Sequence, residues 1–437
     1  MSIPESISTE TKSVSHHAAA MVSAGAEDRW DLYARLAKRF GTPLYLYDAA
    51  VIGKRIAELR SFLPNVVDSE ILFSFKSNPN PSVVSEMRRG GCRADLTSVG
   101  EISSARSAGF DFSQALYGGP GKSIVELETA ITAGIRSFSM ESRHDLEALR
   151  AAAEKSQCKV RVLIRINPQD APKAKLAMSG VPSQFGFEES ELREKGIGAL
   201  GELGEFVRLA GVHIYWGTQI AEAESLLDCF QLTVKIAEEV SEALEFPLEV
   251  LNLGGGFPWP YATIGEGADL SSLQIGLADL ASTSGKAAAA EWWFESGRFL
   301  CASSGTLIAS VMETKESKGK HFLILDTGIH HLGGMSGLGR IPRFSIDIEV
   351  PEQREGNEEI EVDVVGQLCT PLDCIGRRLT LPRVERGDLI AIPNTGAYGA
   401  TASVTHFLSR QTPVEVLHRE GEVLDSNRIG SGYDPVS

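Results

Sequence analysis

The stretch with the most obvious chemistry is Ile71-Leu-Phe-Ser-Phe-Lys76-Ser-Asn-Pro-Asn80, an apolar run of strand character that ends on a single lysine before a turn. A lysine so placed has its stem packed by the strand and its amine at the strand's carboxyl end, where α/β barrels gather catalytic groups. A desolvated amine there can form a Schiff base with an aldehyde cofactor. Alone, it reads more readily as a snorkelling surface lysine, and the rest of the chain reverses that. Gly254, Gly255 and Gly256 form a second candidate. Three glycines let backbone N–H groups approach an anion such as phosphate, although many such runs are only turns. Arg298 would add a cation to that cradle, and Glu295, three residues earlier, could hold a pyridine nitrogen protonated. The alternative for Glu295 is a salt bridge with Arg298, and sequence leaves both open. Lysine, phosphate cradle and carboxylate together describe a site for pyridoxal 5'-phosphate.

These residues need a scaffold that brings distant strand ends to one point. Apolar, strand-like segments recur near 71–76, 93–97, 115–119, 136–141, 161–167, 210–216, 248–254 and 291–296. Helix-like stretches lie between them, for example 98–108, 124–133, 143–156 and 221–244. That rhythm predicts an α/β fold, a (β/α)8 TIM-type barrel, over an open doubly wound sheet, which would place fewer strand ends around one centre. The carboxyl ends carry Lys76, Asp95, Gly118–Lys122, Arg165 with Asn167, Tyr215 with Thr218, Gly254–Gly256, and Glu295 with Gly297 and Arg298.

Past residue 300 short alternating segments near 305–313, 321–326, 343–350, 360–365, 388–392 and 413–418 predict a C-terminal β-rich domain. An amphipathic helix is expected over 26–41 and a short strand over 43–48. The expected division is a mobile extension at 1–25 without a targeting role, a segment at 26–44 packing with the β-domain, a barrel at 45–298 and the β-domain at 299–437.

Composition narrows the partners. The 437 residues are 43% hydrophobic and 23% charged, as in ordinary globular proteins. A net charge of −16 argues against nucleic acid or an anionic membrane. The six cysteines lack any C-x-x-C pair, which suggests a reducing cytoplasm and neither a disulfide framework nor a zinc site. No apolar run approaches a membrane span, and no metal is expected.

Eight motifs in order then carry a resemblance over roughly residues 40–415: Phe75-Lys76-Ser-Asn78, Ala94-Asp-Leu-Thr-Ser-Val-Gly-Glu101, Gly118–Lys122, Ser183-Gln-Phe-Gly-Phe187, Gly254-Gly-Gly-Phe257, Glu295-Ser-Gly-Arg298, Cys369-Thr-Pro-Leu-Asp373 and Gly396-Ala-Tyr-Gly399. The chain resembles the fold-type III pyridoxal-phosphate decarboxylases, which share the alanine racemase-like barrel. The resemblance implies that Lys76 carries the cofactor and that Gly254–Gly256, Arg298 and Tyr398 hold its phosphate, with Glu295 at the ring nitrogen. It also implies a homodimer with shared sites, in which Cys369 of one subunit protonates the product in the other. The cofactor set expected on this basis also takes in Asp95, Arg165, Tyr215, Thr218 and Gly297. Alanine racemases use arginine at the ring nitrogen, so Glu295 favours decarboxylation. Lys76, Glu295, Arg298, Cys369 and Tyr398 are all present, against a non-catalytic, partner-binding relative.

Two departures bear on substrate. Relatives acting on free diamines or diaminopimelate carry an acid after the cysteine, where this chain has Thr370. That removes a charge-assisted contact of about 1.5–3 kcal/mol with a distal ammonium. The ring-stacking histidine of the family aligns with Tyr215, which can still stack, while His213 reads as core or supporting. The expected substrate contacts are Thr370, Asp373, His330, His331, Arg340 and Arg343, a set suited to a bulky or anionic distal group. His330-His331 as a metal pair is set aside because neighbours on a strand point to opposite faces. The expectation is an amino-acid or amino-acid-conjugate α-decarboxylase, free or carrier-tethered, in siderophore or other secondary metabolism. The alternative is a diaminopimelate or ornithine/lysine decarboxylase of primary metabolism.

Overall fold

A computed structural model describes residues 28–169, 182–333, 346–351 and 358–430. Arg340, Arg343 and the extension at 1–25 lie outside the described residues.

Eight parallel strands close on themselves: Ser69–Ser74, Arg93–Leu96, Leu116–Tyr117, Ser137–Met140, Val160–Asn167, Val207–His213, Val250–Asn252 and Glu291–Ser296. The last pairs with the first, Phe294 opposite Ile71, which completes the barrel. Each starts or ends within a few residues of its expected segment. A short strand, Phe187–Glu188, adds to Val160–Asn167. Strand alternation sorts the side chains into two sets. Phe73, Val162, Ile164, Val212, Trp292 and Phe294 pack outward with the helices in the large core. Leu72, Leu116, Leu163, Val250 and Trp293 form a separate cluster that plugs the barrel's centre.

Stepping two residues from that plug toward the carboxyl ends keeps each chain inward-facing. The step leads from Leu72 to Ser74, from Leu163 to Arg165, from Val250 to Asn252 and from Trp293 to Glu295. The polar layer above the plug is a consequence of period-two geometry on an apolar floor.

Several of the intervening helices are held at their starts by side-chain caps. Ser98 accepts from Glu101 N, Ser142 from Asp145 N, and Ser123 forms a reciprocal capping box with Glu126.

The β-rich domain is an eight-stranded sheet ordered Cys374–Pro382, Glu359–Val365, Lys320–Leu325, Gly305–Ser317, Leu44–Asp48, Val414–Arg419 and Glu422–Arg428, with Leu389–Ile392 also paired to Gly305–Ser317. Leu44–Asp48 lies between strands from the far end of the chain, antiparallel to Gly305–Ser317 and parallel to Val414–Arg419. This corrects the expected barrel start at residue 45, because the strand belongs to the second domain. The helix Arg29–Phe40 covers that sheet, burying Tyr33 and Leu36 against Leu44, Leu46, Ile308 and Val416. Among the described residues no helix is long and apolar enough to cross a membrane.

Candidate active site

The first barrel strand stops at Ser74, and a 3-10 turn, Phe75–Ser77, carries Lys76 over the barrel mouth. Its side chain opens into a cavity of about 740 Å³ bordered by Asp95, Ser139, Arg165, His213, Tyr215, Glu295, Arg298 and Tyr398, among others. Its exposure is to this cavity. Lys76 Nζ lies 5.4 Å from the centroid of the Tyr215 ring. Burial opposes the ammonium form, but the Asp95 and Glu295 carboxylates outweigh it and hold the Lys76 pKa above its ordinary value. The amine is therefore not depressed in the way a lone desolvated lysine would be. Asp95 responds in turn: burial, reinforced by Glu295 and opposed by Lys76, pushes its pKa up to about 7.

Glu295 is fixed from two sides. Its Oε1 accepts from Asn252 Nδ2 at 2.9 Å, and Asn252 Oδ1 accepts from Gly254 N at 2.9 Å. His213 Nε2 lies 3.3 Å from the same oxygen, and His213 Nδ1 is 2.8 Å from Ser139 Oγ. Burial, with Arg165, Lys76 and Lys122 nearby, drives the His213 pKa well down, so the imidazole is neutral. His213 thus belongs to the site more directly than sequence suggested. The salt bridge between Glu295 and Arg298 left open above does not form. The Arg298 guanidinium instead packs against the rings of Tyr398 and Tyr261, at 4.8 and 5.7 Å.

Beside Lys76, a recess is lined by Thr218, Gly255, Gly256, Ser296, Gly297, Arg298 and Tyr398. Arg298 Nε and Ser296 Oγ are buried there without a hydrogen-bond partner. Unsatisfied buried donors around a glycine-walled recess are what a phosphate would satisfy. Gly255 and Gly256 line the recess, but the Gly254 amide is spent on Asn252, so that glycine shapes the turn (φ +69°) and does not face the anion. Tyr398 has a left-handed backbone (φ +54°), pinned by its N–H on Ser77 O at 2.7 Å and its carbonyl accepting from Tyr261 Oη at 2.9 Å. The residues fit pyridoxal phosphate.

Around the cavity's far side, Arg165 is paired with Glu141 at 2.9 Å and stacks on Phe185. Lys122 is paired with Asp145 at 2.7 Å. Among the described residues of that side, Gly118, Gly119, Pro120, Gly121, Asn167, Ser183, Thr401, Ala402 and Ser403 present amides, hydroxyls and backbone.

The expected substrate set does not assemble in one chain. Cys369 is exposed, and neither it nor Thr370 lines the cavity beside Lys76. Asp373 is buried, its carboxylate accepting from Ile329 N and Leu368 N, both at 2.8 Å. It staples its loop instead of meeting substrate. His330 and His331 are also buried, in a turn after Lys320–Leu325 and not on a strand, with rings 3.7 Å apart. They therefore share a side, contrary to the opposite-face expectation, and neither lines the cavity. Burial holds their pKa values down, to about 4 for His330 and about 3 for His331.

Residues 50–302 match the model of the pyridoxal binding domain of pyridoxal-dependent decarboxylases. This chain belongs to that family. The decarboxylase is 35% identical over 408 residues to the L-glutamyl-[BtrI acyl-carrier protein] decarboxylase of Niallia circulans, covering 92% of this chain and 94% of that one. It is 30% identical to the diaminopimelate decarboxylase of Aquifex aeolicus, over 89% of each. The crystal structure of diaminopimelate decarboxylase from Helicobacter pylori complexed with L-lysine superposes with a TM-score of 0.78 at 28% identity, covering 91% of this chain and 95% of that one. The decarboxylase is a pyridoxal-phosphate-dependent carboxy-lyase of fold type III.

Proposed function

We propose that this decarboxylase removes the α-carboxylate of an amino acid presented as a conjugate, such as an aminoacyl group on a carrier, and not of a free diamino acid. The observation carrying this reading is the far side of the cavity. Its one arginine is already paired with Glu141, and among its described residues no unpaired carboxylate awaits a distal ammonium. Thr370, which follows Cys369 and would come to the site from the second copy, extends the same neutrality. A thioester or amide arm meets amides and hydroxyls there at little desolvation cost, whereas an ammonium would lose its hydration uncompensated. The similarity to a relative named for a carrier-bound glutamyl substrate supports the reading.

In this reading Lys76 holds the cofactor's aldehyde carbon, Glu295 the ring nitrogen, and Gly255, Gly256, Ser296, Arg298 and Tyr398 the phosphate, with Tyr215 on the ring face. Pyridoxal phosphate supplies the electron sink for the pair left on Cα when CO2 departs. Glu295, aimed by Asn252, keeps that sink deep. Cys369 of a second copy gives its thiol proton to Cα, which requires the homodimer. The pathway is secondary metabolism, of antibiotic or siderophore type. Six free cysteines among the described residues fit a cytoplasmic setting.

The test is CO2 release from the cofactor-loaded enzyme against free diaminopimelate, lysine, ornithine and glutamate, beside carrier-bound glutamate and a citryl conjugate. Turnover confined to the conjugates is expected. Fast turnover of free diaminopimelate would overturn the proposal in favour of a metabolic diaminopimelate decarboxylase. Thr370→Asp should raise kcat/KM on lysine or ornithine about tenfold, since one charge-assisted contact is regained. An unchanged value would remove Thr370 from the argument.

A further inference from the structure

The contact between His213 and Glu295 is unused by the reaction as derived so far. His213 ends the sixth barrel strand, Val207–His213, and is 5% exposed. A neutral imidazole has one donor and one acceptor nitrogen, so its two contacts are not independent. Were Nδ1 protonated, the Nε2 lone pair would face the Glu295 carboxylate at 3.3 Å, a repulsive arrangement in a buried site. With Nδ1 as acceptor of the Ser139 hydroxyl at 2.8 Å, Nε2 carries the proton and faces Glu295 as a donor. Among the described residues Nε2 makes no aligned hydrogen bond, so the 3.3 Å approach to Glu295 Oε1 leaves it buried, unsatisfied and beside that carboxylate. The charged groups acting on His213 are Arg165, Lys76 and Lys122, all cationic, together with Glu295 itself.

We propose that His213 is a positioning residue for the reaction, its tautomer set by Ser139 and its Nε2–H held on Glu295 Oε1. With Asn252 on the same oxygen, Oε1 is doubly engaged and Oε2 is left for the cofactor's ring nitrogen. Two donors on the carboxylate stabilise its ionised form, so the proton shared across the pair stays on the ring. Removing one donor lets that proton move toward Glu295 and makes the sink shallower. The inference rests on the assignment of Glu295 to the ring nitrogen.

The experiment uses holoenzyme loaded with ring-15N pyridoxal phosphate, reading the ring nitrogen shift by NMR beside kcat and KM. Two variants of like polarity separate the two arms. In His213→Asn the amide nitrogen reaches only the Nδ1 position beside Ser139. In His213→Gln it reaches the Nε2 position beside Glu295. Expected for His213→Asn is a ring nitrogen signal moved toward the unprotonated value, with kcat down about tenfold and KM within about threefold, the size of one lost hydrogen bond. His213→Gln should restore both readouts to within about threefold of the parent. If the two variants behave alike, whether both are impaired or both intact, the Nε2 donor role is overturned. Glu295→Gln is the separate control. An unchanged ring nitrogen signal in that variant removes the Glu295 assignment itself. A changed signal there with an unaffected His213→Asn removes only the role of His213.

Discussion

Lys76→Ala is expected to lower kcat by about 10⁴-fold or more, the usual scale for deleting a covalent catalyst. The apoenzyme variant should still bind pyridoxal phosphate, because Arg298, Ser296 and the glycine-walled recess are untouched. Borohydride treatment should then fix no cofactor to the protein, whereas the parent retains it covalently. Lys76→Arg should not rescue activity, since a guanidinium keeps its charge and cannot make the bond. The surroundings add a condition to this chemistry. Asp95 and Glu295 keep Lys76 protonated before the cofactor arrives. The amine must shed that proton to react. More than about one per cent residual activity in Lys76→Ala would show that another group carries the chemistry.

The barrel was legible because its signal is local. Each apolar segment ends on a polar residue, and the same alternation that buries Trp293 aims Glu295 inward. Asn252 follows by the same step from Val250, but it precedes the glycine run, and only its contacts to Glu295 and Gly254 N give it a place in the site. His213 reads as core or supporting from its place one alternation before Tyr215, and nothing in a strand's pattern announces a partner two strands round the barrel. The expected domain boundary at residue 45 cuts through Leu44–Asp48 for a related reason: its partners, Gly305–Ser317 and Val414–Arg419, lie hundreds of residues away. Glu422–Arg428 was missed because an edge strand with mostly exposed, polar residues has no buried face to betray it. Asp373 shows the limit of motif position. A carboxylate four residues after Cys369 reads as a ligand, but two backbone N–H groups already occupy it.

The phosphate recess gives the second large effect. A Cβ at Gly255 would stand 2.6 Å from the Glu295 carbonyl oxygen and 3.5 Å from Tyr215 Cε2. The first contact is with backbone, so no side-chain rotation relieves it, and the strand carrying Glu295 or the turn lining the recess must shift. Either movement spoils phosphate contacts, each worth about 1.5–3 kcal/mol when charge-assisted. Gly255→Ala should therefore weaken pyridoxal phosphate about 100-fold, since losing two such contacts in part amounts to nearly 3 kcal/mol. Absorbance titration of the apoenzyme measures this directly. Gly121→Ala provides the contrast. Gly121 also borders the cavity, but its Cβ would meet nothing within 4 Å, and its affinity should stay within about threefold of the parent. Excess cofactor should recover part of the activity of Gly255→Ala but not all of it, because the same displacement moves Glu295 off the ring nitrogen. Full recovery at saturation would mean that the recess moves alone and that Glu295 is held independently through Asn252.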